Sequence, residues 1–157
     1  MNSNAGVHQK GTFNAQDAIE NIKNDPNYSK AGAIGLFVGV VRGETLGFEQ
    51  EKVEKLTIEA YEEKADQVLS KISSDLTQKP GIVNVQIHHL LGEFNVGDDL
   101  VYVAVAGAHR TDVFPVLREA VERYKSETPI FKKEYIVDAK GSASEYWVSE
   151  KESQHRH

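Results

Sequence analysis

The chain has 157 residues, a formal charge of −6 and no cysteine. That length fits one ordinary domain, about 100 to 150 residues being the commonest size, and 39% hydrophobic with 27% charged residues is a soluble globular balance, not that of a disordered chain. The acidic charge excludes a general nucleic-acid binder, which needs many cations acting together, and the missing cysteines exclude disulfides, thiolate metal sites, iron–sulfur ligation and a cysteine nucleophile.

In chain order, residues 1–11 lack periodicity and are expected to form a flexible N-terminal tail; they are polar, without the apolar core of a signal peptide. Asn14-Ala15-Gln16-Asp17 offers a helix N-cap with an acid three places on, ahead of Ala18, Ile19 and Ile22, and predicts a short helix ending near Pro26. Ala31 to Val41 (AGAIGLFVGVV) is an apolar, glycine-dotted run of strand type that delivers Arg42 into the polar loop GETLGFEQEK. Val53 to Ala60 alternates as a strand. From Tyr61, the positions Ala65, Val68, Leu69, Ile72 and Leu76 follow helical spacing up to Lys79-Pro80-Gly81. Ile82 to Leu91 and Leu100 to Ala106 read as strands joined by the turn GEFNVGDD, hence as an antiparallel pair.

After Gly107-Ala108-His109-Arg110, Thr111 or Asp112 can cap a helix with the stripe Val113, Phe114, Leu117, Ala120, Val121 and Tyr124; Pro115 fits its first turn. Pro129 ends that helix, and Ile130 to Val137 predicts a last strand. The aromatic face of that strand, Phe131, Lys133, Tyr135 and Val137, is expected to face the core, leaving Lys132 and Glu134 on the other side. A single domain therefore spans residues 12–148, with a flexible C-terminal tail at 149–157. The element order predicts an α+β fold, a mixed or antiparallel sheet with helices packed to one side. No apolar run approaches the roughly 20 residues that span a bilayer, so the expected location is cytoplasmic, without a membrane.

Cations gather at three element ends: Arg42 after a strand, His109-Arg110 before a helix N-terminus whose free amides favour an anion, and Lys125 with Lys132 around Pro129. Together they could form an anion pocket. Each also has an ordinary structural role: Lys125 offsets a helix dipole, Arg42 is a solvated strand end, His109 makes a local cap, and Lys132 pairs with Glu134. Metal binding has little behind it, because His88 and His89 are adjacent and point to opposite faces of a strand, and no His-Glu-x-x-His spacing occurs. No GxxxxGK[ST], GxGxxG or GxSxG pattern supports nucleotide binding or an acyl-transfer elbow.

The segments FVGVVRGETLG, LTIEAYEEKA, HHLLGEFNVGDDLVYVAVAGAHRTDVF, ETPIFKKE and YWV, in this order from about Ala31 to Val148, resemble the large, catalytic subunit of molybdopterin synthase. The pairing of AHRxxxF with a downstream lysine, proline and aromatic-Lys-Lys-Glu run is the most specific part. The resemblance implies an α/β-hammerhead type of α+β fold and a sulfurtransferase of molybdenum cofactor biosynthesis with no cofactor of its own. Two sulfurs would pass from the C-terminal thiocarboxylate of a small ubiquitin-like sulfur-carrier subunit to cyclic pyranopterin monophosphate, forming the molybdopterin dithiolene. It further implies a homodimer of large subunits within a heterotetramer. Carried over by motif, Lys125 and Lys132 are the catalytic lysines, and Val40, Val41, Arg42, His109, Arg110, Lys133 and Glu134 contact the substrate. A chain without cysteine suits borrowed sulfur, and clustered cations suit a phosphate. The alternative readings are a noncatalytic, regulatory module that binds anions or the pterin phosphate, and a structural protein acting through an exposed sheet edge.

Overall fold

Asn14 caps its helix as the sequence requires. In a computed structural model describing residues 4–45 and 48–149, the Asn14 side chain accepts from the Asp17 N–H and the Asp17 carboxylate accepts from the Asn14 N–H, both at 2.9 Å. Strand β1 (Ala5–Gln9) precedes this helix, α1 (Ala15–Lys23). A 3-10 turn at Tyr28–Lys30 leads into β2 (Ala33–Val40), β3 (Glu44–Thr45) and β4 (Phe48–Ala60). Helix α2 (Glu62–Thr77), the pair β5 (Ile82–Asn95) and β6 (Asp99–Gly107), α3 (Arg110–Glu127), β7 (Ile130–Val137) and β8 (Ala143–Ser149) complete the chain.

The strands form one sheet in the order β2-β6-β5-β4-β7-β8, with β1 beside β5 and β3 beside β4. All pairs are antiparallel except β1 with β5, so the sheet is mixed and the fold is α+β, as expected. Side chains of α2 and α3 fill one face: Leu69, Ile72, Leu76, Val113, Val116 and Ala120 are buried with Val85, Ile87, Val103 and Val105. Alternation along β6 sends Ala104 and Ala106 to the other face, where they pack with Ile22 of α1. The helices thus cover both faces of the sheet, not one.

Four further expectations are corrected. Residues 5–9 are not a frayed tail: they lie parallel to Ile87–Leu91, and the Val7 N–H donates to Asp66 of α2 at 2.8 Å. Five residues carry too little periodicity to announce a strand whose order comes from its neighbours. Residues 150–157, the bulk of the expected C-terminal tail, lie outside the described residues. Strand β5 continues through GEFN to Asn95, because Gly92, at φ +127°, bends it where β1 ends and β4 takes over the pairing. Phe94, expected in a turn, is consequently core.

Helix α3 begins at Arg110 with His109 as N-cap, two or three residues earlier than a Thr111 or Asp112 cap would give. Pro115 therefore sits in the second turn, where the Thr111 carbonyl loses its helical donor; the exposed position leaves that oxygen to water. On β7, Ile130 and Ile136 are the buried residues while Phe131 is 36% exposed. The inner face of β7 is thus the one that carries Lys132 and Glu134, the reverse of the aromatic-side expectation.

Candidate functional site

Sheet register fixes where each candidate cation stands. Gly39 of β2 lies beside Val101 of β6, which lies beside His89 of β5. Tyr124 of α3 meets the His89 ring edge-on at 5.7 Å. The C-terminal turn of α3, with Lys125, therefore sits over the end of the sheet where β2 delivers Val40, Val41 and Arg42. At the opposite end, Ala33 of β2 pairs with Gly107 of β6, and α3 starts from there. Gly35 makes this close crossing feasible, because a Cβ there would come within 3.0 Å of Val113 and 3.2 Å of Leu117.

His109 and Arg110 occupy that opposite end. Fifteen residues of helix separate Arg110 from Lys125, a rise of about 22 Å at 1.5 Å per residue. One chain therefore does not gather all the candidate cations into one pocket. It separates them into two candidate half-sites, one with Arg42, Lys125 and Lys132 and one with His109 and Arg110.

In the first half-site, Val41 is 4% exposed and both of its backbone groups are engaged. Its N–H donates to the Asp98 carbonyl and its carbonyl accepts from the Gly97 N–H, each at 2.9 Å. Val41 thus anchors the strand end and leaves exposed Val40 and Arg42 on either side of it. Lys125, in the last turn of α3, and Lys132, third in β7, are both half-buried and flank the Thr128-Pro129 link. Lys132 stands beside Ile58 and Val148, and Glu134 beside Leu56 and Tyr146, in the register of β4 and β8.

Lys133 points to the outer face, where it bridges to Glu145 at 3.0 Å and lies 5.5 Å from the Trp147 ring centroid. That pairing makes it part of the β7–β8 surface, turned away from Lys132. In the second half-site, His109 is well exposed and its Nδ1 lies 3.3 Å from the Asp112 carboxylate, which orients the ring beside the start of α3. Arg110 is exposed and opens the helix.

A feature not anticipated from sequence is a cavity of about 960 Å³ beside Gly43, lined among others by Lys52, Glu54, Lys55, Val96 and Asp138. Only pairing brings these β4 lysines near the β5–β6 turn and the β7–β8 turn, and nothing in the local pattern signals it. Among the described residues, no group of three or more His, Asp or Glu side chains is arranged to hold a metal ion, and no helix is long and apolar enough to cross a membrane.

Three comparisons bear on this arrangement. The sequence model of the family described as "MoaE protein" matches residues 8–127. The "Molybdopterin synthase catalytic subunit" of Pyrococcus abyssi is 35% identical over 142 residues, covering 90% of this chain and 88% of that protein. The "Probable molybdopterin synthase" of Haloferax volcanii is 34% identical over 133 residues, 85% of this chain, and the chain spans about half (49%) of that longer protein. Among solved structures, molybdopterin synthase from Staphylococcus aureus superposes with a TM-score of 0.76 at 29% identity, covering 91% of this chain and 95% of that one.

Proposed function

The chain belongs to the MoaE protein family, and from that premise we propose that it acts as the catalytic subunit of a molybdopterin synthase. In this reading it transfers two sulfurs, each brought as the C-terminal thiocarboxylate of a small ubiquitin-like carrier, to cyclic pyranopterin monophosphate. The observation that supports it most is the placement of Lys125 and Lys132, one from a helix end and one from a strand start, in a chain without cysteine.

The chemistry follows from the reactants. The thiocarboxylate sulfur displaces an oxygen substituent at a pterin side-chain carbon, the carbon–oxygen bond breaking as the carbon–sulfur bond forms and the oxygen leaving with its electron pair, and water then cleaves the acyl–sulfur bond, leaving the sulfur on the pterin and an ordinary carboxylate on the carrier. A second carrier repeats the step. An ammonium group beside the acyl carbon stabilises the oxyanion that forms there and can supply a proton. Lys125 takes this part beside the carrier's terminal glycine. Lys132, on the inner face of β7, neutralises charge on the pterin. Arg42, His109 and Arg110 bind the cyclic phosphate, for which the guanidinium fork can donate two parallel hydrogen bonds.

The separation of the half-sites bears on assembly. A small pterin cannot bridge about 22 Å, so a complete site requires a second large subunit to supply His109 and Arg110 to the first subunit's Arg42 and Lys125. Homodimerisation within a larger assembly with the carrier is therefore part of this proposal.

Binding tests it. Arg42→Ala and Arg110→Ala should each weaken binding of the cyclic pterin phosphate by roughly 10- to 100-fold, the loss of one or two charge-assisted hydrogen bonds. Isothermal titration at fixed ionic strength measures this. Unchanged affinity in both variants would remove phosphate recognition from these residues.

A further inference from the structure

Strand β1, expected from sequence as part of a tail, leads directly into Lys10, and that lysine reaches the turn between β5 and β6. Its backbone N–H continues the parallel ladder by donating to the Leu91 carbonyl at 2.8 Å. Its Nζ donates to the Glu93 carbonyl at 3.1 Å and to Asp98 Oδ2 at 2.8 Å, and lies 5.3 Å from the centroid of the buried Phe94 ring. One ammonium thus grips the last residues of β5 and the far end of the turn at once. Asp98 Oδ2 also accepts from the Asn95 N–H at 2.8 Å, so the same carboxylate closes the turn upon itself. Lys10 first, and then the Asn95 N–H, holds the Asp98 carboxyl below its ordinary value, which keeps the pair charged at neutral pH.

Both neighbours of Arg42 rest on this turn. On one side the Val41 N–H donates to the Asp98 carbonyl and the Val41 carbonyl accepts from the Gly97 N–H, each at 2.9 Å. On the other, Gly43 lies against Val96, where a Cβ would come within 3.1 Å of the valine side chain, and its carbonyl accepts from the Val53 N–H at 3.0 Å. The regular β2–β6 ladder has already shifted register between Gly39 and Val40. Beyond that point the position of the β5–β6 turn decides where the strand end runs.

We infer that Lys10 is a positioning residue for Arg42: its ammonium locks the β5–β6 turn, and the locked turn sets the direction in which Arg42 leaves the sheet. A guanidinium at the end of a long side chain is aimed no better than the backbone that carries it, and a misplacement of about 1 Å already weakens a charge-assisted contact. For the binding of a cyclic phosphate this rests on the function proposed above; the clamp itself does not. Lys10 and Asp98, at 41% and 33% side-chain exposure, form an ion pair too open to solvent to contribute much to global stability. Its loss should therefore be felt at the strand end it holds, with the melting profile almost unchanged.

The test uses the full chain and reads the clamp both without and with ligand. Lys10→Met keeps an apolar stem over Phe94 and removes the ammonium. In hydrogen exchange at neutral pH, the Val41 and Gly97 amides of this variant should exchange about three- to tenfold faster than in the wild type, while the Val103 amide in the middle of β6 keeps its rate. In isothermal titration the variant should bind cyclic pyranopterin monophosphate about three- to tenfold more weakly. Added to Arg42→Ala it should cause no further loss, because Lys10 acts through Arg42. Asp98→Asn, which retains an oxygen for the Asn95 N–H, should shift exchange and affinity in the same direction, and it carries the test if Lys10→Met loses its circular dichroism spectrum. Unchanged exchange at Val41 and Gly97 in the folded variants overturns the clamp. An equal loss of affinity in the Arg42→Ala background overturns the positioning of Arg42. A wild-type chain that binds no cyclic pterin phosphate refutes the functional reading, and faster exchange at the two amides then still upholds the clamp.

Discussion

Replacing Lys125 with alanine is expected to slow sulfur transfer by about 10²- to 10⁴-fold, the range for loss of a positioned acid or base. The expectation rests on how the residue is held. Tyr124 is 3% exposed and packed on the buried His89 ring, whose Nδ1 donates to the Leu90 carbonyl at 2.9 Å, so the turn carrying Lys125 is fixed to the sheet. Removing the side chain should cost the fold little, since a cation in the last helical turn contributes only about 0.3–1 kcal/mol through the helix dipole. Lys125→Arg separates the two parts the residue could play: it keeps the charge but cannot give up a proton near neutral pH. Single-turnover rates with a thiocarboxylated carrier, read beside melting curves, provide the measurement. A rate within about threefold of wild type for Lys125→Ala would remove the residue from the chemistry.

The second large effect is on stability in acid. His88 is 1% exposed, stacked on Phe13 at 4.0 Å, and held in a chain of hydrogen bonds. His8 Nε2 lies 2.9 Å from His88 Nδ1, and His88 Nε2 lies 2.8 Å from Gln86 Oε1. Gln86 in turn donates to Asn4 and Asn84, and Asn84 donates to Asp25. Because Gln86 Oε1 can only accept, His88 carries its proton on Nε2 and accepts from His8 at Nδ1. Every partner is satisfied with both rings neutral, and a second proton on His88 would oppose the one that His8 donates.

Burial, and to a lesser extent the neighbouring His8, push the His88 pKa down to about 3 from 6.5. Burial lowers His8 as well, against the opposing pull of Asp66 and Asp17. A folded-state value below the unfolded one means that the unfolded chain binds more protons as the pH drops. Stability is therefore full above about pH 6.5 and is lost progressively below it, by as much as about 4–5 kcal/mol on reaching pH 3. The carboxylates with lowered values, Asp75, Asp98 and Glu127, act lower on the scale, below their ordinary values of 3.8, 3.8 and 4.5, so the window between pH 6.5 and 5 reports the histidines. Urea unfolding at pH 7, 6 and 5 should show a falling free energy, with a shallower slope in His88→Gln. A slope that His88→Gln leaves unaltered would show that this network does not set acid stability.

Where the stabilising partners are close in sequence, the chain is legible in advance. The Asn14–Asp17 capping box lies within one turn, and Ala65, Leu69, Ile72 and Leu76 mark the buried face of α2 through spacing alone. The opposite facing of His88 and His89 follows from strand geometry: one joins His8, Phe13 and Gln86, while the other meets Tyr124 across the sheet. What sequence misplaced depends on distant partners. β1 exists because β5 offers an edge before β4 arrives, and GEFN stays a strand because β4 pairs with it. The buried side of β7 could not be read from its residues, since both faces carry a lysine and both carry apolar side chains; Ile130 and Ile136 win because that face turns inward.

The candidate site divides the same way. Lys125 and Lys132 stand seven positions apart around a proline, so the sequence alone places them at the adjoining ends of consecutive elements. The distance between Arg42 and His109-Arg110 is set by the full length of β2 and β6, so a list of cations reads as one cluster where the fold makes two. Unlike those residues, Lys133 belongs to a surface pair with Glu145 and Trp147, which only the β7–β8 register reveals.

The most direct test of the proposed activity combines the chain with a thiocarboxylated ubiquitin-like carrier and cyclic pyranopterin monophosphate and follows the pterin by mass. The account predicts a product that has gained two sulfurs, with two carriers converted to the ordinary carboxylate for each pterin. A pterin that binds at the Arg42 and Arg110 half-sites yet gains no sulfur from its cognate carrier would contradict it and leave a phosphate-binding module without chemistry.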